Sequence, residues 1–258
     1  MGKKLLVGLV SSVFLLTTSN LLASAPEQAA EKATAHWGYE GAEGAEHWGK
    51  LSADFATCET GHNQSPINIE GAVDANLASI KFKYNMLSAG DIINNGHTVQ
   101  VNMWSGGEIT LDSEKFVLKQ FHFHTPSENT ISGKSFPLEA HFVHLNKDNQ
   151  IAVVAVMFEP GEDDELIAAL WKKIPLKAGD SHKLDPKALK SLEFEADVKS
   201  YYRFNGSLTT PPCSEGVRWI VMKARRHVSQ AQVLKFQEAL PSANNRPVQA
   251  LNARVIVE

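Results

Sequence analysis

Cysteine is almost missing from this chain: in 258 residues only Cys58 and Cys213 occur. Their separation excludes a C-x-x-C redox motif and a four-cysteine zinc site. Two such residues can form one disulfide or remain as buried free thiols, and the composition leaves both open. In an oxidising compartment a bridge would close a very long loop, worth up to roughly 5 kcal/mol in the chain-entropy model. Basic charge is also in short supply, with 25 Lys+Arg against 29 Asp+Glu. An acidic chain with no basic cluster is a poor partner for nucleic acid or anionic membranes. No apolar run reaches the ~20 residues that span a bilayer. There is no glycine-rich phosphate loop, no βαβ rhythm and no fixed-period repeat. His-Trp-Gly does occur twice, at 36–38 and 47–49, but two copies so close together do not make a repeat array.

What is present begins with an N-terminal leader. Lys3 and Lys4 precede an apolar run at 5–16, which Ser11, Ser12, Thr17 and Thr18 keep too polar for an anchor, and Ala23-Ser24-Ala25 supplies a small-residue cleavage site. Residues 1–25 therefore read as a signal peptide and 26–35 as a mobile tail. Residues 36–258 read as one domain, periplasmic or secreted and free of the membrane after cleavage. Cleavage removes two lysines and takes the net charge from −4 to −6. Ala25 stands where a bacterial lipoprotein would need cysteine. With 43% hydrophobic and 21% charged residues, the remainder can bury an ordinary globular core.

Period-two alternation marks strands at 80–84 and 98–102. Further strands are expected at 116–124, 138–145, 151–158 and 217–223. Helical spacing appears at 164–173, 186–192 and 229–240, the last opened by a capping box of Ser229 with Gln232. The fold class is mainly β (α+β): one central twisted, largely antiparallel sheet with a few peripheral helices.

The chemistry sits in Gln120-Phe121-His122-Phe123-His124. Alternate residues of a strand share a face, so both imidazoles project together while Phe121 and Phe123 turn to the other side. A neighbouring strand, Glu139-Ala140-His141-Phe142-Val143-His144, can supply a third imidazole. If His141 faces the metal, Glu139 and Val143 share its face, and Phe142 and His144 point away. Gln120 and Glu139 each lie two residues from a ligand, where an acceptor can fix the ring. Three neutral imidazoles leave a dication's charge uncompensated, so a bound water loses its proton easily; zinc suits such nitrogen ligation. Copper or nickel would also bind imidazole.

The spacing His122-x-His124-x3-Glu128 also fits the first metal motif of cupins. That family would have glycine where this chain has Phe116, and it would set proline and glycine around the last histidine. An ordered series of segments points elsewhere: His36-Trp37-Gly38-Tyr39, Gln64-Ser65-Pro66-Ile67-Asn68-Ile69, Asn94-Asn95-Gly96-His97, Gln120 to His124, Ser127-Glu128, Glu139 to His144, Ser207-Leu208-Thr209-Thr210-Pro211-Pro212 and Asn245-Arg246-Pro247. Through these the chain resembles an α-class carbonic anhydrase of the bacterial periplasmic branch.

The resemblance implies zinc on His122, His124 and His141 at the base of a conical cleft, with Gln120 and Glu139 steadying two of the rings. It implies reversible hydration of carbon dioxide to bicarbonate and a proton by zinc-bound hydroxide, with His97 as proton shuttle and Thr209 and Glu128 orienting the nucleophile. Val143, Val153, Leu208 and Trp219 would form the apolar substrate pocket, with Thr210 beside them, and Tyr39, Asn95, Gln100 and Thr210 would order water. Cys58 and Cys213 match that branch's disulfide, and the Pro211-Pro212 bond is expected to be cis. Anions and sulfonamide-type compounds are the implied inhibitors, and a homodimer fits the bacterial relatives. An inactive binding relative is the other reading, but such relatives typically lose a zinc histidine and all three are present here.

Overall fold

The computed structural model describes residues 35–84, 88–195 and 197–258. The expected signal peptide, and the expected tail apart from Ala35, lie outside the described residues. The strands in chain order are β1 (Asn68–Ile69), β2 (Ile80–Lys83), β3 (Ser88–Asn94), β4 (Val99–Ser105), β5 (Glu108–Leu111), β6 (Glu114–His124), β7 (Thr130–Ile131), β8 (Leu138–Leu145), β9 (Ile151–Pro160), β10 (Ser181–Lys183), β11 (Asp197–Val198), β12 (Tyr201–Ser207), β13 (Glu215–Met222) and β14 (Arg226–Val228). Among the described residues four α-helices accompany them: α1 (Trp48–Leu51), α2 (Thr57–Thr60), α3 (Glu165–Trp171) and α4 (Gln230–Gln237).

One large sheet dominates, in the order β10-β3-β4-β6-β8-β9-β13-β12. Its pairs are antiparallel except that β13 and β14 run parallel to β9. Residues Ile151 to Phe158 form an apolar run because β9 is covered on both faces. Ala152, Val154, Val156 and Phe158 enter one core, and Val153, Ala155 and Met157 the other. The first core is closed by α3 and α4. The Asp164 carboxylate accepts from Ile167 N–H to cap α3. Ser229 and Gln232 form the expected capping box on α4, and Gln232 also reaches Asp164 N–H and C=O. The third expected helix is shorter than its pattern: only a 3-10 turn forms, at Pro186–Leu189. Asp185 caps its start by accepting from Lys187 N–H, but Ala188, Lys190 and Leu192 donate to carbonyls three residues back, at 185, 187 and 189, which is the tighter 3-10 pattern.

This sheet presents the second face of its central strands to the site. Phe121, Phe123 and Phe142 are buried in the first core, so His122, His124 and His141 must project from the opposite side, as the alternation requires.

Candidate metal centre

The three histidines arise from two adjacent antiparallel strands in which His122 stands directly opposite His141. One ring nitrogen of each lies within 4.8 Å of the other two. Each remaining nitrogen is held from behind. His122 Nδ1 meets Gln120 Oε1 at 2.8 Å, and His124 Nδ1 meets the Asn244 carbonyl at 2.7 Å. His141 Nε2 is 2.9 Å from Glu139 Oε1, an ion-pairing distance whose alignment falls short of a hydrogen bond. These contacts fix which nitrogen of each ring faces the shared space. Glu139 is in turn fully committed, accepting from the N–H groups of Glu128 and Asn129 and from Asn129 Nδ2, at 2.8 to 2.9 Å.

Burial lowers the pKa of His122 and His141 well below the ordinary histidine range, and the mutual proximity of the rings lowers them further. Burial lowers His124 too, against the raising effects of the Asn244 carbonyl and Glu139. All three are therefore neutral near pH 7, with lone pairs free for a cation. His124 Nε2 is fully buried and has no partner. Burial also raises the carboxyls: Glu139 upward, and Glu128 to about 8 against the lowering contacts of Arg246 N–H and the Thr209 hydroxyl. Neutral imidazoles beside two buried acids form a site short of positive charge, and the donor set fits one metal ion held by nitrogen.

Five of the other sequence-selected residues, Gln120, Val143, Val153, Trp219 and Gln100, stand beside this centre in register. A row Gln120–Val143–Val153–Trp219 crosses four strands beside the row His122–His141–Ala155–Val221. The two rows are two residues apart along each strand, about 7 Å. Val153, Trp219, Val143 and Leu208 belong to one apolar cluster, and the Trp219 ring packs edge-on to His141 at 4.9 Å. Gln100 stands opposite His122 and gives its amide to Asn102 at 2.6 Å. Thr209 is buried and Thr210 half-buried in a loop closed by Leu208 N–H to Ser214 and Cys213 N–H to Thr210. In that loop the Pro211–Pro212 bond is cis, as expected. Tyr39 packs edge-on to Trp37 and Trp48; burial, then the charge of Glu128, raises its pKa well above the ordinary value.

His97 is half-buried in a turn whose N–H groups, at 97 and 98, both donate to Asn95 Oδ1 at 2.9 Å. Asn95 itself is exposed and spends its oxygen on this turn. The His97 ring stacks on Trp37 with centroids 3.7 Å apart and planes within 6°. Cys58 and Cys213 form a disulfide with Cα atoms 5.0 Å apart. Sequence reasoning missed three supporting residues: Asn244, Asn129 and Arg246. Asn244 holds His124 by its carbonyl, while its side chain binds Thr125 N–H and the carbonyls of Phe123 and His97. The only available signal was that Asn244 adjoins the Asn245-Arg246-Pro247 segment.

Fold and site together define a class: a sheet protein with a three-imidazole centre able to hold one metal ion beside an apolar wall. The family model for eukaryotic-type carbonic anhydrase matches residues 43–258. A carbonic anhydrase of Neisseria gonorrhoeae is 49% identical over 232 residues, covering 86% of this chain and 88% of that protein. One of Pectobacterium atrosepticum is 47% identical over 238 residues, covering 92% and 96%. Among solved structures, the α-carbonic anhydrase of Thermovibrio ammonificans in complex with the inhibitor sulfanilamide superposes with a TM-score of 0.81 at 46% identity, covering 87% of this chain and all of that one. This chain belongs to the eukaryotic-type (α) carbonic anhydrase family.

Proposed function

We propose that this chain is a zinc enzyme that hydrates carbon dioxide reversibly to bicarbonate and a proton, exported across the inner membrane by its N-terminal leader. The observation that carries this reading is the all-imidazole donor set, each ring neutral and oriented, beside an apolar wall. Zinc held by His122, His124 and His141 would supply Lewis acidity that brings a bound water's pKa to ~7; that value is the general one for carbonic anhydrase.

The protein's own part is positioning. Carbon dioxide is small and nonpolar, so Val143, Val153, Leu208 and Trp219 hold it by dispersion and by excluding water, and they give the anionic product nothing to bind. Tyr39, Asn95, Gln100 and Thr210 order water on the polar side. The T. ammonificans complex with sulfanilamide supports the expectation that sulfonamides compete at this site.

His97 carries the proton to solvent. Burial, then the neighbouring charge of His36, lowers its pKa from the ordinary value, so the ring is neutral and ready to accept near pH 7. An acid of pKa ~7, with recapture at about 10¹⁰ M⁻¹s⁻¹, yields its proton to bulk water only on the order of 10³ times a second. Stopped-flow hydration by the wild-type chain is expected to exceed that ceiling in buffer of moderate strength. His97→Ala is expected to fall to it in dilute buffer, to keep its zinc and to recover with added imidazole. A wild type no faster than buffer contradicts the function, and an unchanged His97→Ala contradicts the shuttle.

Thr209 and Glu128 act as a gate. A threonine hydroxyl has one proton to donate, and when it is committed to an ionised Glu128 the oxygen can only accept from the nucleophile. A cation held by the three neutral imidazoles would favour that ionised form, since Glu128 lies 3.9 Å from His141 Nδ1. One hydrogen bond to a charged group is worth about 1.5 to 3 kcal/mol, a ten- to hundredfold rate effect. Thr209→Ala and Glu128→Gln should each lower turnover by that factor without loss of zinc, and the double variant should be little worse than either. Losses that multiply would show two independent residues.

A further inference from the structure

Two of the segments that placed the chain in its family, Gln64-Ser65-Pro66 and Asn245-Arg246-Pro247, have no part in the chemistry above, yet the fold brings them together behind it. We infer that Gln64, Ser65 and Arg246 form a buried hub that sets the position of Thr209 relative to Glu128, an inference that rests on the gate just described. Arg246 is only 2% exposed. Its backbone N–H donates to Glu128 Oε1 at 2.9 Å. Its guanidinium donates to Gln64 Oε1 (2.9 Å), the Ser65 carbonyl (2.8 Å) and the Cys58 carbonyl (2.9 Å), and lies over the Trp48 ring at 5.6 Å.

The same dipeptide grips both ends of the loop that carries Thr209. Ser65 N–H donates to Ser207 Oγ at 2.9 Å, and Ser207 N–H returns to Ser65 Oγ at 3.2 Å. Gln64 Nε2 donates to the Cys213 carbonyl at 3.1 Å. Gly206 permits this approach, because a Cβ there would run into Ser65 Oγ. Thr209 is thus suspended between two anchor points, at 207 and 213, and both are tied to the residues that clamp the arginine. The carboxylate it must meet takes its Oε1 contact from that arginine's backbone. A hydrogen-bonded pair works only when both partners are held to within about 0.5 Å, and here one buried network fixes both. Such networks act as units, so loss of one member is felt throughout.

Gln64, Ser65 and Arg246 are therefore positioning residues, acting on the rate through Thr209 and Glu128. The test measures Gln64→Met and Arg246→Met in the wild-type background and in Thr209→Ala, reading kcat and KM for carbon dioxide, zinc content, and melting of the metal-free chain. Arg246→Met strands three buried acceptors, so where it fails to fold Gln64→Met carries the test. The expected result is a kcat about tenfold lower in the wild-type background, near the value of one hydrogen bond to a charged group. KM and one zinc per chain should be unchanged, and the further loss in Thr209→Ala should be under twofold, whatever the shift in melting. An unchanged kcat, or the same fold-loss in both backgrounds, overturns the inference while leaving the site reading intact. A wild-type chain that does not hydrate carbon dioxide overturns both.

Discussion

His141→Ala is expected to lose zinc and carbon dioxide hydration together, leaving the rate at that of buffer. The effect should be the largest of any single substitution, because His141 is the imidazole that the second strand brings to the cluster. The two histidines of β6 come as a pair from one alternation, but they form a three-imidazole cluster that could hold a metal only because His141 stands opposite His122 across the ladder. With two imidazoles left, the chain has no other nitrogen donor in the cluster to replace it among the described residues. Without the metal, water keeps its ordinary pKa far above neutrality instead of ~7, and the nucleophile is gone. Glu139→Gln gives the graded comparison: it weakens the hold on His141 Nε2 without removing a ligand, and should cost 10- to 100-fold in zinc affinity. Elemental analysis beside stopped-flow rates checks both. A His141→Ala protein that keeps zinc and turnover would remove this histidine from the centre.

Breaking the Cys58–Cys213 bond is expected to give the largest loss of stability. The two residues are 155 apart in sequence, and closing a loop of that size removes roughly 5 kcal/mol of chain entropy from the unfolded state. For a chain of this length each kcal/mol moves the melting temperature by about 2 to 4 °C, so reduction should lower it by roughly 10 to 20 °C. Both sulfurs are buried beside Trp48, and Arg246 and Gln64 bind the carbonyls of Cys58 and Cys213. Local packing therefore keeps the folded state close to its oxidised geometry when the bond is cut, and the loss is felt mainly through the unfolded chain. Differential scanning calorimetry with and without reductant measures it. A shift below about 2 °C would show that this bond contributes little. Among the described residues, no helix is long and apolar enough to cross a membrane, and a disulfide is the chemistry of an oxidising compartment.

Much of this was legible because the informative residues lie on strands. Period-two alternation placed Phe121 and Phe123 on one face and His122 and His124 on the other, and the structure has them so. The strand expected at 138–145 has those bounds. The parallel pairing of β9 with β13 was not legible, since some sixty residues separate the strands and neither sequence encodes its partner. Nor was β3, whose pairing with β4 carries two register shifts and so lacks regular alternation.

At the site, the limit was the backbone. Gln120 and Glu139 were readable as supports because their side chains do the holding. His124 is held by the carbonyl of Asn244, 120 residues away, and any amino acid owns a carbonyl. Arg246 shares that difficulty: its main-chain N–H touches Glu128, while its charge is buried against carbonyls that leave no mark in the sequence.

Hydration by this chain should depend on a zinc ion held by its three imidazoles. The most direct measurement strips the metal from the purified protein with a chelator, follows carbon dioxide hydration by stopped flow, and then returns zinc in steps. The rate should fall to that of buffer on stripping and recover in proportion to zinc, saturating at one ion per chain. Hydration that persists in the zinc-free protein, or that fails to return when one zinc per chain is bound again, would contradict that dependence.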